Sequence, residues 1–355
     1  MSSEKKSIYV MSTSHGSGKT ATLIGLFLNL KEKGKNPGYF KPIGDPFSDA
    51  RVTKADKDVN VIHRMLERKY SRDEICPIFI SPTSFLDEIP REKASGVKDL
   101  ILDSFEELRE KTDLLLVEGN HFYMQMYSIG LCDLSLAKLL ESDVILLSKC
   151  ENDSDLDQVL IAAERIRQND LPLKGLILSN VSELQRTKIE EKYMDFLKEN
   201  NIELLGTIPK SRLLSAPTVG EVLEATQGQL LTQDLPIVKD QIVENFIIGA
   251  MQCNDALGYM RKSANLGVIT GGDRSDIILT AVEVGVSLII LTGNLEPDVV
   301  ALAKAKEAGI PVILVPTDTY TTAHNIQNIN TQIQQGEVDL CKKQVAEHVD
   351  WEKIV

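Results

Sequence analysis

The feature that most constrains this chain is Ser12-Thr-Ser-His-Gly-Ser-Gly-Lys-Thr20, set between the apolar run Ser7 to Met11 and the helical pattern Ala21 to Lys33. Glycines at 16 and 18 let successive backbone N–H groups point inward as an anion nest, and the dipole of the following helix adds positive potential. Such a loop predicts a phosphate cradle lined by Ser14, His15, Gly16, Ser17, Gly18, Lys19, Thr20 and Ala21. Lys19 would reach the β and γ phosphates and the Thr20 hydroxyl would sit on Mg²⁺. A strict Walker A sequence needs glycine where this chain has Thr13, so that match fails by one residue. The competing reading is a strand-to-helix turn whose lysine is only a surface charge.

Apolar runs with strand character recur between helical patterns: Leu114 to Val117, Val144 to Leu147, Gly175 to Leu178 and Leu204 to Ile208. That alternation predicts right-handed crossovers and an α/β fold, a P-loop NTPase-type parallel sheet with helices on both faces. The last third repeats the grammar, with strands at Asn265 to Ile269, Ser287 to Leu291 and Val312 to Val315 around helices Ser275 to Val284 and Pro297 to Ala308. A second, smaller α/β domain follows from this, and 355 residues exceed what one core usually fills. The expected division is 1–230, 231–337 and a polar C-terminal tail at 338–355, with the boundary in the polar stretch 227–234.

Composition narrows the function. A formal charge of −13 repels polyanions, which excludes duplex nucleic acid as a partner held by overall charge, while leaving room for a local phosphate pocket. Five scattered cysteines form no CxxC pair for zinc or redox chemistry. No apolar run approaches the ~20 residues of a membrane span, and Ile8-Tyr9-Val10-Met11 is too short for a signal-peptide core. A soluble cytoplasmic protein without membrane contact is expected.

Glu118 ends the apolar run Leu114 to Val117 before Gly119, where α/β sheets bind ligands, so it is a candidate metal ligand or a capping acid. Asp58 opens a helical pattern and serves either the metal or the helix dipole. His121-Phe-Tyr-Met124 either lines the substrate side or packs the loop. In the last third, Gly271, Gly272, Asp273 and Arg274 follow a strand, and Thr292, Gly293, Thr317 and Asp318 end the next two, so three loops converge on one crevice. A small anionic ligand gripped by Arg274 competes there with a turn locked by an internal Asp–Arg pair.

The order Phe40-Lys-Pro-Ile-Gly44, Asp58, Ile75-Cys-Pro-Ile-Phe-Ile-Ser-Pro-Thr83 and Val117-Glu-Gly119 resembles dethiobiotin synthetase and its wider family of ATP-dependent amidases and carboxylases. That family's phosphate loop is one residue longer than Walker A, with Ser12 here in place of its first glycine. The resemblance implies ATP and Mg²⁺ as cofactors and Thr20, Asp58 and Glu118 as the metal site. It further implies Lys41 on an amino-acid-like substrate and its carbamate, and Asn180 and Pro209 near the adenine. The synthetase's Pro-x-x-Pro-His segment is here Ser81-Pro-Thr-Ser-Phe85, and its glycine-rich continuation after the acid is Asn120-His-Phe-Tyr123. Both departures argue against the biotin-pathway substrate.

A broader match runs through Gly206-Thr-Ile-Pro-Lys-Ser-Arg-Leu-Leu-Ser-Ala-Pro-Thr-Val-Gly-Glu221, Gly249-Ala-Met251 and Thr270-Gly-Gly-Asp-Arg-Ser-Asp276. These residues resemble the N-terminal half of long-form bacterial phosphate acetyltransferases, a synthetase-like domain joined to a DRTGG domain. The resemblance implies a stand-alone, archaeal-type protein without the acetyltransferase domain or its activity, and a homodimer. The expected function is an ATP- and Mg²⁺-binding regulatory or metabolite-sensing protein, with Lys19, Lys41 and Glu118 as the catalytic candidates. The alternatives are a ligase that activates a carboxylate or carbamate, and a non-catalytic module acting on a metabolic enzyme in trans.

Overall fold

The computed structural model describes residues 6–46, 56–211, 213–214, 216–232, 239–329, 331 and 333–354. Two of the boundary residues expected from the sequence, Gln233 and Asp234, lie outside them. The chain divides into two compact units, Met1–Lys210 together with Ile333–Val355, and Ser211–Gln332.

The first unit is built on six parallel strands in the order β2-β5-β1-β6-β7-β8. They are β1 (Lys6–Ser12), β2 (Pro37–Phe40), β5 (Leu114–Glu118), β6 (Asp143–Lys149), β7 (Leu173–Val181) and β8 (Leu204–Pro209). A small pair, β3 (Ile43–Gly44) and β4 (Ile78–Phe79), stands apart. Ile8 to Met11 and Leu114 to Val117 are buried throughout, as parallel strands covered on both faces must be. The helix α1 (Lys19–Glu32) buries Leu23, Ile24, Leu26, Phe27 and Leu30. The helix α2 (Lys57–Met65) begins at Asp56, whose side chain accepts from the Val59 N–H.

The second unit is a five-stranded sheet in the order β10-β11-β12-β13-β9. Its strands are β9 (Gln229–Leu230), β10 (Asn245–Ile248), β11 (Leu266–Gly271), β12 (Leu288–Thr292) and β13 (Val312–Leu314). Only β9 runs antiparallel, beside β13. The polar stretch expected to separate the domains therefore contributes a strand to the second sheet, and the contact boundary falls near residue 210.

The C-terminal residues expected to form a polar tail fold as a helix, Val338–His348, and pack on the first unit. Val338, Cys341 and Val345 recur at helical spacing and are buried. A Cβ on Gly25 of α1 would fall 2.4 Å from the Val345 side chain and 2.6 Å from the Cys341 carbonyl, so glycine is what lets the helices approach. The Asn29 amide donates to the Lys342 carbonyl at 3.1 Å, and Val349 bridges to Gly206 of β8. Composition concealed this helix because three apolar side chains among polar ones suffice to bury one face. No helix among the described residues is long and apolar enough to cross a membrane.

Candidate functional site

The loop between β1 and α1 is braced by its own hydroxyls. Gly16 and Gly18 hold φ of 65° and 83°, left-handed values that other residues rarely adopt. Ser17 Oγ donates to the Ser14 carbonyl at 2.6 Å, and Ser179 Oγ at the end of β7 donates to the Ser17 carbonyl at 2.7 Å. Thr13, the departure from Walker A, pairs its Oγ1 with Ser148 Oγ at 2.7 Å and donates its N–H to the Leu147 carbonyl. Its side chain thereby ties the loop to β6.

Lys19 is buried at 8% exposure, its Nζ donating to Ser12 Oγ at 2.7 Å and to the His121 carbonyl at 3.3 Å. No carboxylate lies within ion-pair distance of it among the described residues, and burial lowers its pKa from the ordinary value. Thr20 Oγ1 donates to Glu118 Oε1 at 2.9 Å, and the Tyr39 hydroxyl donates to Glu118 Oε2 at 2.7 Å. Lys41, also 8% exposed in its side chain, sits 2.7 Å from Asp56, 3.5 Å from Asp58 and 3.7 Å from Glu118. Burial alone would lower the Lys41 pKa, but these three carboxylates raise it well above the usual range. Desolvation pushes Asp58 up to about 6, with Lys41 opposing the rise and Asp56 and Glu118 adding to it. Burial would also raise Asp56, yet Lys41 and the N–H groups of Asp45 and Val59 hold it below the ordinary value.

The structure thus brings Thr20, Lys41, Asp58 and Glu118 together, and adds Tyr39 and Asp56, which the sequence reading did not select. Asp56 had a signal, a helix-capping acid two residues before Asp58. Tyr39 had none beyond its place before Lys41. Another unselected residue is Asp133, wholly buried, whose Oδ1 accepts from the Asn120 N–H at 2.8 Å and the Tyr9 hydroxyl at 3.1 Å. Its Oδ2 has no partner, and burial pushes its pKa up to about 6. Thr20, Asp58 and Glu118 offer the hard oxygen donors that suit Mg²⁺. Among the described residues, however, no group of three or more His, Cys, Asp or Glu is placed to hold a metal alone.

Asn180 and Pro209 end the neighbouring strands β7 and β8, beside the Ser179 that anchors the phosphate loop. Asn180 adopts φ of 57° and its amide lies 3.5 Å from Glu151. His15 stacks obliquely on His121 with ring centroids 4.3 Å apart, and burial, then His121 and Lys19, lower its pKa to about 4. His121 Nε2 lies 2.9 Å from Asp45 Oδ2.

In the second unit the three expected loops do meet. The Gly293 N–H donates to the Thr317 carbonyl at 2.8 Å, and Thr292 Oγ1 lies 3.0 Å from Thr319 Oγ1. A Cβ on Gly272 would fall 1.7 Å from the Leu295 carbonyl oxygen. Their polar side chains, however, are turned on one another. Arg274 makes two 2.9 Å bonds to Asp276 and a third to the Met251 carbonyl. Asp318 caps the helix Thr319–Gln327, and Thr317 Oγ1 lies 2.7 Å from Thr322 Oγ1. A cavity of about 270 Å³ elsewhere in this unit is lined by Phe246, Ile248, Ile269 and Ala323 among others, and by none of these loop residues.

The chain is 26% identical over 370 residues to the phosphate acetyltransferase of Nitrosomonas europaea, covering 98% of this chain and 51% of that protein. It is 28% identical over 374 residues to the phosphate acetyltransferase of Pseudomonas putida, covering 97% and 51%. The chain thus spans about half the length of these curated relatives. It is also 28% identical over 212 residues to the ATP-dependent dethiobiotin synthetase BioD of Methanocaldococcus jannaschii, covering 58% of this chain and 94% of that one. The cell division ATPase MinD of Pyrococcus furiosus aligns in structure over 59% of this chain and 86% of its own, at 15% identity and a TM-score of 0.39. A family model described as an AAA domain matches residues 6–218, and one described as a DRTGG domain matches 221–329. The chain therefore belongs to the AAA-domain family, with a DRTGG domain following its P-loop domain, in the manner of the N-terminal region of long-form phosphate acetyltransferases.

Proposed function

We propose that this protein is an ATP- and Mg²⁺-binding switch, whose first unit binds the nucleotide and whose DRTGG unit takes a small anionic metabolite. One observation carries the first half. Among the described residues the buried Lys19 is held by a hydroxyl and a carbonyl and by no carboxylate, at the end of a loop whose Gly16 and Gly18 take left-handed φ. A buried cation without a counter-ion is costly, and a phosphate supplies the missing charge. Thr20, Asp58 and Glu118 would hold Mg²⁺, which neutralises charge on the phosphates when bound, while Asn180 and Pro209 would flank the base.

The ligase reading is weaker because of Lys41. Its ammonium is already matched by Asp56, Asp58 and Glu118, so little charge remains to grip an incoming carboxylate. A sensor needs only that nucleotide and metabolite each prefer one state of the protein. The homodimer and the cytoplasmic location belong to the same proposal.

Titration calorimetry with ATP, with and without Mg²⁺, tests it. Lys19→Ala removes charge-assisted bonds of about 2–3 kcal/mol, so affinity should fall roughly 100-fold. A wild type that binds no nucleotide would sink the reading.

A further inference from the structure

We propose that His121, oriented by Asp45, is the general base that deprotonates the water attacking the γ-phosphoryl group of the bound nucleotide. The inference rests on the nucleotide reading above and deepens it, since it makes the switch an ATP hydrolase with a named base. His121 belongs to the loop after β5, three residues beyond Glu118. Its carbonyl accepts from both Lys19 Nζ at 3.3 Å and Ser12 Oγ at 2.9 Å, and so stands at the ammonium that would meet the terminal phosphates. Its backbone N–H donates to Gln125 Oε1 at 3.1 Å, and its ring lies against His15 of the phosphate loop. With 30% of its side chain exposed, the ring remains open to solvent.

The orienting group is Asp45, whose Oδ2 lies 2.9 Å from His121 Nε2 and whose own N–H donates to Asp56 Oδ2 at 2.9 Å. Asp56 in turn pairs with Lys41, so the buried charge cluster positions the dyad. An aspartate on Nε2 fixes the proton there and leaves the Nδ1 lone pair as the base. In the step, a water O–H proton passes to Nδ1 as the oxygen bonds to the γ-phosphorus. The bond from phosphorus to the bridging oxygen breaks, and its electron pair leaves with ADP. Asp45 stabilises the imidazolium, which returns its proton to solvent. A carboxylate acceptor carries no proton to remove and would leave such a dyad without work, which is why the geometry points to water.

The test uses the full chain with MgATP. Calorimetry reads nucleotide affinity, phosphate release reads turnover, and ¹⁸O-water reads the source of the new oxygen. His121→Ala is expected to keep affinity within about threefold, because Lys19 is held by the His121 backbone carbonyl. Its turnover should fall roughly 100-fold or more, the usual contribution of a positioned base. Added imidazole should restore part of that rate, which a merely structural role would not allow. Asp45→Asn should slow turnover less, about tenfold. Turnover unchanged in His121→Ala would overturn the proposal, as would a loss that imidazole fails to relieve. So would a wild type that binds MgATP yet releases phosphate only with an added carboxylic acid. Absence of binding in the wild type is a separate result that removes the nucleotide reading itself.

Discussion

The two units end their parallel strands in glycine-rich loops of similar grammar, yet they treat charge in opposite ways. In the first unit Lys19 and Lys41 are buried, and among the described residues Lys19 lacks a carboxylate partner and Asp133 carries an orphaned carboxylate oxygen. In the second, Arg274 closes on Asp276 at two 2.9 Å bonds and Asp318 spends its carboxylate on a helix cap. The difference teaches that a shared strand–glycine–helix pattern does not by itself make a binding site. Unsatisfied buried charge marks a place that awaits a ligand, whereas an anion entering the second unit's loops must first draw Arg274 away from Asp276.

The sharpest way to break this contrast is Lys41→Met. Three carboxylates would then share a buried site without a cation, and the loss of one partner of a buried ion cluster costs about 3–5 kcal/mol. Urea unfolding of the purified variant should show it, and Lys41→Met with Asp56→Asn should recover part of the loss. A change below about 1 kcal/mol would mean that the cluster is solvated and the contrast illusory.

Asp133 gives the next largest effect, and a sign. Burial raises its carboxyl to about 6 in the folded state, above the ordinary aspartate value. Its contribution is therefore fully present below about pH 4 and is lost as pH rises toward 6. The stability difference between wild type and Asp133→Asn should shift against the wild type over that window, by up to roughly 3 kcal/mol. Parallel denaturation curves at pH 4.5 and 7 for the two proteins check this, and an unchanged difference would contradict it.

In the second unit Gly272→Ala forces a Cβ onto the Leu295 carbonyl oxygen, and overpacking of this kind costs about 2 kcal/mol. Thermal melts should register the loss without any ligand present, because the glycine serves packing between loops. Arg274→Ala is the smallest effect. The pair it breaks is one-third exposed on the arginine and half exposed on Asp276, so screening leaves at most about 1 kcal/mol. A larger loss would show that Arg274 organises the loop more deeply than its bonds indicate.

Much of the architecture was readable in the chain because the signals are local. The runs Ile8 to Met11 and Leu114 to Val117 are buried as continuous apolar strands. The short strands β2 and β10 give a weaker signal because Pro37–Phe40 carries only two consecutive apolar residues and Asn245–Ile248 only three. The phosphate loop's conformation was likewise encoded by glycines at 16 and 18, whose left-handed φ values other residues adopt only with strain.

Tertiary structure decided what those local signals could not. Lys41 just after β2, Asp56 and Asp58 at a helix start, and Glu118 at the end of β5 are far apart in sequence, and desolvation on assembly obliges them to pair. The return of Val338–His348 to α1 depended on a gap left by Gly25 in a different helix. Arg274 could have faced a ligand or Asp276, and only the packing of the Met251 carbonyl and Asp276 around it made the choice. Sequence alone determined the longer apolar strands and the phosphate loop, because backbone conformation and apolar period act over a few residues. Which charges met, and which were left open, depended on burial, a property of the assembled fold.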